Sequence, residues 1–281
     1  MNARLKETHA LTPDEMLQTQ HAFDSVAADY DGPRGNNTLI QRMRMTMWAE
    51  FERRFARNAR LIDLGCGTGL DAVHLAKTGR RVVATDWSPH MVMRTAARAA
   101  DAGLAHRVDA RPIGAHELQL LDGRYDGAYS NLGPLNCVPD LRQLAAQCTR
   151  LVRPGGVMVF SVIGRLCPWE YLYYRWKRPE RARIRAAKGP VAIPMNHHTI
   201  WASYYWPREF HAAFEDGFEL LDYRALGLFL PPPYLVAWYE KHPRFFEFLG
   251  RIDDLTGGWP GLRNAGDHFL IVLRRRGTSA S

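Results

Sequence analysis

Three groups of residues have the types and spacings that chemistry needs. The first is Asp63-Leu64-Gly65-Cys66-Gly67-Thr68-Gly69, followed 21 positions after Gly65 by Asp86. Glycines at a strand-to-helix turn let backbone N–H groups approach a ligand at the helix N-terminus. A Cβ at Gly65 or Gly67 would obstruct that approach or forbid the turn. Asp86 stands where an acidic side chain accepts hydrogen bonds from ribose hydroxyls. The spacing is not a dinucleotide fingerprint, since position 70 is Leu, nor a Walker A loop, since no Lys follows. The second group is Asn131-Leu132-Gly133-Pro134-Leu135-Asn136-Cys137, at the end of a predicted strand. Ligands of open α/β sheets sit beyond the carboxyl ends of strands. Asn131 and Asn136 are therefore candidate ligand contacts, or equally turn residues. The third is His197-His198. No Cys or carboxylate stands near it at ligand spacing, so no metal site is expected. A general base is the functional reading of either histidine; a surface or packed histidine is the alternative.

The elements that must position these groups read as alternating strands and helices, which specifies an α/β fold. Strands are predicted at 61–64, 81–85, 107–110, 125–130, 157–163, 218–226 and 267–274. Thr12-Pro13-Asp14-Glu15 opens a first helix with a capping box and Pro at its first position. Phe23, Val26 and Tyr30 share one face of it. Leu39, Met43, Met47, Trp48, Phe51 and Phe55 mark a second, amphipathic helix. Ser88-Pro89 caps another, and Pro139 starts one that buries Leu144, Cys148 and Leu151.

The 281 residues suffice for one large domain with a cap, and 46% hydrophobic with 23% charged residues is ordinary for a soluble protein. No apolar run approaches the roughly 20 residues that span a bilayer. Residues 1–10 lack the apolar region of a secretory signal, and residues 1–11 read as poorly ordered. Cys66, Cys137, Cys148 and Cys167 show no paired spacing and suit a reducing cytoplasm. No internal repeat is found, and 277–281 reads as a short low-complexity tail. The formal net charge of +8 fits an anionic partner or a solvated surface.

The motif D-x-G-x-G-x-G at 63–69 resembles the first motif of class I S-adenosylmethionine (SAM)-dependent methyltransferases. Two further stretches carry the resemblance: Phe23-Asp24-Ser25-Val26-Ala27-Ala28-Asp29-Tyr30-Asp31, similar to F-D-x-x-A-x-x-Y-D of the small-molecule type, and Leu151-Val152-Arg153-Pro154-Gly155-Gly156, an L-x-P-G-G turn one residue longer. The motifs cover about residues 20–163 of a methyltransferase-11/25-like core; beyond that only strand order matches. The resemblance implies a Rossmann-like, seven-stranded, mostly parallel sheet of order 3-2-1-4-5-7-6, its last strand antiparallel and at the edge, with helices on both faces. It implies SAM as cofactor and S-adenosylhomocysteine (SAH) as product. Asp63, Gly65, Cys66 and Gly67 would form the cofactor turn, with Asp86 on the ribose. Tyr30 would lie over the methionine part, or pack in the core. Trp87 and Met91 would lie near the adenine, although Trp87 equally suits packing on the sheet. The acidic residue often found past the third strand is replaced by Ile113-Gly114-Ala115-His116, leaving adenine to the backbone of Gly114 and Ala115 or to His116. Asn131 would contact the methionine part, and Asn136 would orient the acceptor.

Two inserts depart from a minimal methyltransferase. Trp169, Leu172, Tyr173 and Trp176 follow helical spacing and read as a lid helix ended by Pro179. Arg175, Lys177, Arg178, Arg181, Arg183, Arg185 and Lys188 then form a basic run, read as the solvent face of the lid rather than an RNA grip. Strand structure is expected around His197 and Trp201. Tyr234, Trp238, Phe245, Leu249 and Ile252 give the apolar stripes of a second insert. The expected organisation is 1–36 N-terminal lid, 37–163 core, 164–206 cap insert, 207–227 core, 228–264 second cap insert and 265–281 last strand with tail. Trp169, Trp176, Trp201, Tyr204 and Trp238 would line a substrate pocket, unless they only pack the cap. The expected activity is methyl transfer to a small aromatic or apolar metabolite, O- before N- or C-. RNA or protein methylation, and a non-catalytic SAM-binding subunit, are the alternatives. Oligomeric state is not legible.

Overall fold

The computed structural model describes residues 11–277. The expectations for residues 1–10 and for 278–281 lie outside them. Strands β1 (Arg60–Leu64), β2 (Arg81–Asp86), β3 (Val108–Pro112), β4 (Tyr125–Ser130) and β5 (Val152–Ile163) run parallel. A hairpin of β6 (Val191–Met195) and β7 (His198–Ala202) stands apart from the sheet. β8 (Phe218–Leu226) and β9 (His268–Arg275) complete a seven-stranded sheet in the order β3-β2-β1-β4-β5-β9-β8. That is the expected order, and β9 is antiparallel to both neighbours. It is not at the edge, however: it lies between β5 and β8, and β8 is the edge strand. Six consecutive positions of β9, His268 to Leu273, are buried, so its apolar run needs cover on both faces, which an edge gives less readily.

The strands are two-faced, because side chains alternate along an extended chain. Ile62 and Leu64 of β1, with Phe160 of β5 and Ile271 of β9, enter one core cluster with Phe210, Phe214 and Phe218. Leu61, Val159 and Val272 enter the other, packed on Met43, Met47 and Phe51. The latter three come from α2 (Thr38–Arg54), which follows α1 (Pro13–Val26). Asp63 lies between Ile62 and Leu64 in β1 and is fully buried. Helices α3 (Leu70–Lys77), α4 (Pro89–Asp101) and α5 (Leu141–Leu151) connect the parallel strands, as right-handed crossovers require intervening helices. α5 begins two residues later than Pro139 suggested, because Asp140 is its N-cap and accepts from the N–H groups of Arg142 and Gln143. The Pro154-Gly155-Gly156 segment lies within β5, where a register shift against β4 accommodates it.

The first insert carries α6 (Pro168–Tyr174) and α7 (Pro179–Ala182) before the hairpin. The lid helix is shorter than its stripe: it stops at Tyr174, and Trp176 is 80% exposed. Its buried residues are Glu170 and Tyr174, because the helix faces a buried arginine rather than an apolar surface. α8 (Pro207–Ala212) precedes β8, and α9 (Val236–Lys241) and α10 (Pro243–Thr256) form the second insert. On α10 the buried face contains Phe246, Gly250 and Asp253, one residue round from the expected Phe245, which is exposed. Asp253 decides this rotation, since its carboxylate accepts from the N–H groups of Gly227 and Leu228.

Candidate functional site

The turn after β1 folds as its glycines require. Gly65, Gly67 and Gly69 have φ of +82°, +52° and +83°, all in the left-handed region. A Cβ on Gly65 would come within 2.3 Å of Pro134, whereas one on Gly67 would meet no protein atom within 4 Å and would enter open space. Asp86, ending β2, joins the turn to α4. Its Oδ2 accepts from Gly67 N–H and its Oδ1 from Ser88 N–H, each at 2.9 Å. Burial pushes this carboxyl up to about 6, against the pull of those N–H donors.

Above the turn lies a cavity of about 310 Å³ that crosses the carboxyl ends of the parallel strands. On its β2–β3 side stand Asp86, Trp87, Met91, Ala115 and His116. The Trp87 and His116 rings meet edge-to-face at 4.6 Å. Burial holds the His116 imidazole below its ordinary value. Gly114 is buried beside this group, its N–H donating to Glu117, and does not itself line the cavity. Asp63 lies beneath the turn outside the lining; burial, reinforced by Asp71, pushes its carboxyl well up.

At the middle of the cavity a charged cluster forms around Asp71 in the first turn of α3. Its carboxylate accepts from Arg44 at 2.9 Å, from the Trp48 indole at 2.6 Å and from the Asn131 amide at 3.1 Å. Arg44 also lines the cavity, and its Nε is buried without a partner. Tyr30 lines the same region, with burial pushing its phenol up to about 12. Cys66 and Cys137 line it too. Burial drives both thiols up, Cys137 to about 12, so neither is a nucleophilic thiolate at neutral pH.

The far side is apolar. Ile193, Met195, Ile200 and Ala202 of the β6–β7 hairpin face Ile163 at the end of β5. Helix α1 closes the space from outside. Its capping box is formed, Glu15 N–H donating to Thr12 Oγ1 and Thr12 N–H to Glu15. Thr19 of α1 accepts from Trp201 N–H at 3.0 Å, and Gln20 donates to the Trp87 carbonyl at 2.8 Å. One helix thus bridges the apolar and the polar sides.

The structure places several expected site residues elsewhere. Asn136 lines the cavity, but its amide is spent on the backbone, donating to Ile163 and Ser203 carbonyls and accepting from Ile163 N–H. Asn196 and His197 occupy the two-residue turn of the hairpin, with φ of +43° and +66° as a type I′ turn demands. His197 and His198 are exposed and do not line the cavity. Trp169, Trp201 and Tyr204 also lie outside its lining and pack the cap, and Trp176 and Trp238 lie outside it with exposed rings. Trp169 donates to the Phe229 carbonyl at 2.9 Å, Trp201 to Gln18, and Tyr204 lies under the Arg185 guanidinium.

The histidine on the apolar side is His268, the first residue of β9. In the sequence His268 is one residue of a predicted strand and Arg44 one unmarked position beside the Met43 stripe, so no local signal singles out either. His268 Nδ1 is 2.9 Å from Asp267 Oδ2, and its Nε2 is buried without a partner. Asp267 in turn accepts from Arg185 at 2.6 Å, Arg185 binds Glu170, and Tyr234 donates to Glu170 at 2.9 Å. Although burial opposes ionisation, the Arg185 guanidinium and His268 hold the Asp267 carboxyl well below the usual range.

Residues 61–156 match a family model described as "Methyltransferase domain". A ubiquinone biosynthesis O-methyltransferase of Cereibacter sphaeroides is 28% identical over 174 residues, which are 57% of this chain and 68% of that protein. An uncharacterised Mycobacterium tuberculosis protein is 32% identical over 137 residues, 48% of this chain and 47% of that one. Among solved structures, the [4+2]-cyclase SpnF aligns with a TM-score of 0.63 at 16% identity, covering 96% of this chain and 99% of that one. The CcbJ methyltransferase of Streptomyces caelestis aligns at 0.58 and 16% identity, covering 92% and 99%. At these identities the structural likeness speaks to fold alone, and one fold hosts several chemistries.

Proposed function

We propose that this chain, a class I SAM-dependent methyltransferase, methylates a small acceptor with an apolar or aromatic body. The observation that carries this reading is the single cavity that is polar beside the glycine turn and apolar beside the β6–β7 hairpin. The residues present fit SAM: Gly67 leaves the open space that a Cβ would fill, and the Arg44 Nε is an unpaired buried donor. Asp86 would accept from the ribose hydroxyls, Arg44 would meet the amino-acid carboxylate, and Trp87 and Met91 would flank the base. SAM supplies a methyl group activated on a sulfonium. The chain's own contribution is alignment and exclusion of water, through α1 and the hairpin. The name of the ubiquinone-pathway relative supports an oxygen acceptor. Four unpaired cysteines support a reducing, cytoplasmic setting. Among the described residues no helix is long and apolar enough to cross a membrane.

The test is transfer of a labelled methyl group from SAM to a panel of small phenols, amines and polar metabolites, with RNA as a further arm. Ile200→Trp should fill the acceptor side, leaving SAH affinity nearly unchanged while acceptor kcat/KM falls by about tenfold or more. Label incorporated only into RNA, or equal kinetics in Ile200→Trp, would overturn the reading.

A further inference from the structure

We propose that His268, oriented by Asp267, is the general base of the methyl transfer, and that the acceptor is therefore a weakly acidic hydroxyl compound such as a phenol. The inference rests on the methyltransferase reading above and adds the attacked atom. Topology explains how a residue so late in the chain reaches the site. β9 runs antiparallel to β5, so its first residue pairs with the last residue of β5, His268 with Ile163. That end of the sheet is where the cavity opens.

The dyad also fixes the tautomer. Asp267 is held as a carboxylate by Arg185, so His268 Nδ1 carries the proton and donates it to Asp267. Nε2 is then a bare acceptor, buried in the cavity wall with no partner. An unpaired buried acceptor costs free energy; His211 Nε2 shares that state, but His268 alone of the two lines the cavity and is held by a buried carboxylate. Here the chain orders Arg185, Asp267 and Glu170 behind one nitrogen and leaves the other without a partner, buried on a residue of the cavity wall.

The other titratable groups of the cavity do not compete: Asp71 accepts from Arg44, Trp48 and Asn131, and burial keeps the Cys66 thiol protonated. Asp86 accepts from two backbone N–H groups on the opposite side, where His116 packs against Trp87. Burial keeps the Cys137 thiol and the Tyr30 phenol protonated, each pushed up to about 12. In the step itself, the acceptor hydroxyl gives its proton to His268 Nε2 as its oxygen forms a bond to the methyl carbon. The carbon–sulfur bond breaks, and its electron pair stays on sulfur, leaving SAH. The positive charge lost at sulfur is gained by the imidazolium, beside the Asp267 carboxylate. The proton leaves to solvent when the site opens.

The test uses His268→Asn, whose side-chain amide can still donate to Asp267, and His268→Ala with added imidazole. Both are assayed on phenols of graded acidity, with SAH binding measured by calorimetry. The expected result is SAH affinity within about twofold of wild type and kcat lower by about 10²–10⁴-fold on weakly acidic phenols. The loss should shrink on phenols acidic enough to ionise unaided, and imidazole should restore part of the turnover of His268→Ala. An equal loss across the series without rescue would overturn the base and leave a packing role. Wild-type transfer to amines or carbon alone would overturn it while sparing the methyltransferase reading. Wild-type binding of SAH with no transfer to any acceptor would overturn both.

Discussion

Asp86 sets a pH dependence that belongs to one carboxyl group. Burial raises it to about 6 in the free protein, so below that pH it is largely neutral. Ribose hydroxyls are donors and favour the ionised form, so binding must release a proton at low pH. SAH affinity should therefore rise with pH through about 6 and level off above it, and Asp86→Asn should bind more weakly with a flat profile. Calorimetry between about pH 5 and 8 in buffers of different ionisation enthalpy would measure both affinity and proton release. A flat wild-type profile would show that Asp86 is not the ribose acceptor. This group was legible because its spacing from Gly65 is local in sequence. His268 was not, because nothing local distinguishes it from its strand: only the antiparallel placement of β9 brings it to the cavity. The His197-His198 doublet drew attention by its rarity, yet the hairpin uses Asn196 and His197 for their tolerance of positive φ.

At the scale of elements, the glycine turn separates stability from binding. Gly65 and Gly67 both have positive φ, but a Cβ collides with Pro134 only at Gly65. Gly67→Ala should fold with a loss of about 1–2 kcal/mol, the strain of a left-handed alanine, while SAH binding disappears. Gly65→Ala should lose more stability than that, as the 310-helical segment carrying Pro134 is pushed away. Thermal melts with and without SAH distinguish the two; equal melting temperatures in both variants would contradict the contact. Helix starts were readable from Thr12, Ser88 and the prolines, because capping is a local hydrogen-bond need. The faces of α6 and α10 were not, because each buries a carboxylate, Glu170 or Asp253, whose partners are more than ten residues away.

At the scale of the whole molecule, Arg185 is the rivet between cap and sheet. It binds Glu170 of α6, the Asp267 carboxylate and the carbonyls of Gly164 and Asp267. Tyr234 of the second insert meets the same Glu170. Arg185→Met would leave two buried carboxylates without their cation, each keeping only one other donor, Tyr234 or His268, a loss of about 3–5 kcal/mol. At about 2–4 °C per kcal/mol for a chain of this size, the melting temperature should fall by roughly 10 °C. A melting temperature within about a degree of wild type would show that the cap is held by its apolar contacts instead. The order of the sheet was legible from the sequence of strand and helix patterns. The rivet was not, since Arg185 reads as one more member of a basic run whose other arginines are exposed.

The position of β9 bears on the making of the protein. Chains emerge from the ribosome N-terminus first, so the other six strands of the sheet are synthesised before β9. At that stage β5 lacks its outer neighbour and β8 lacks the one strand it pairs with. The nascent chain already holds the glycine turn, Asp86 and Arg44, but neither His268 nor a closed sheet. On the reading proposed above, the residues assigned to the cofactor are thus synthesised well ahead of the proposed base, and a chain cut before residue 268 should lack methyl transfer for want of that histidine.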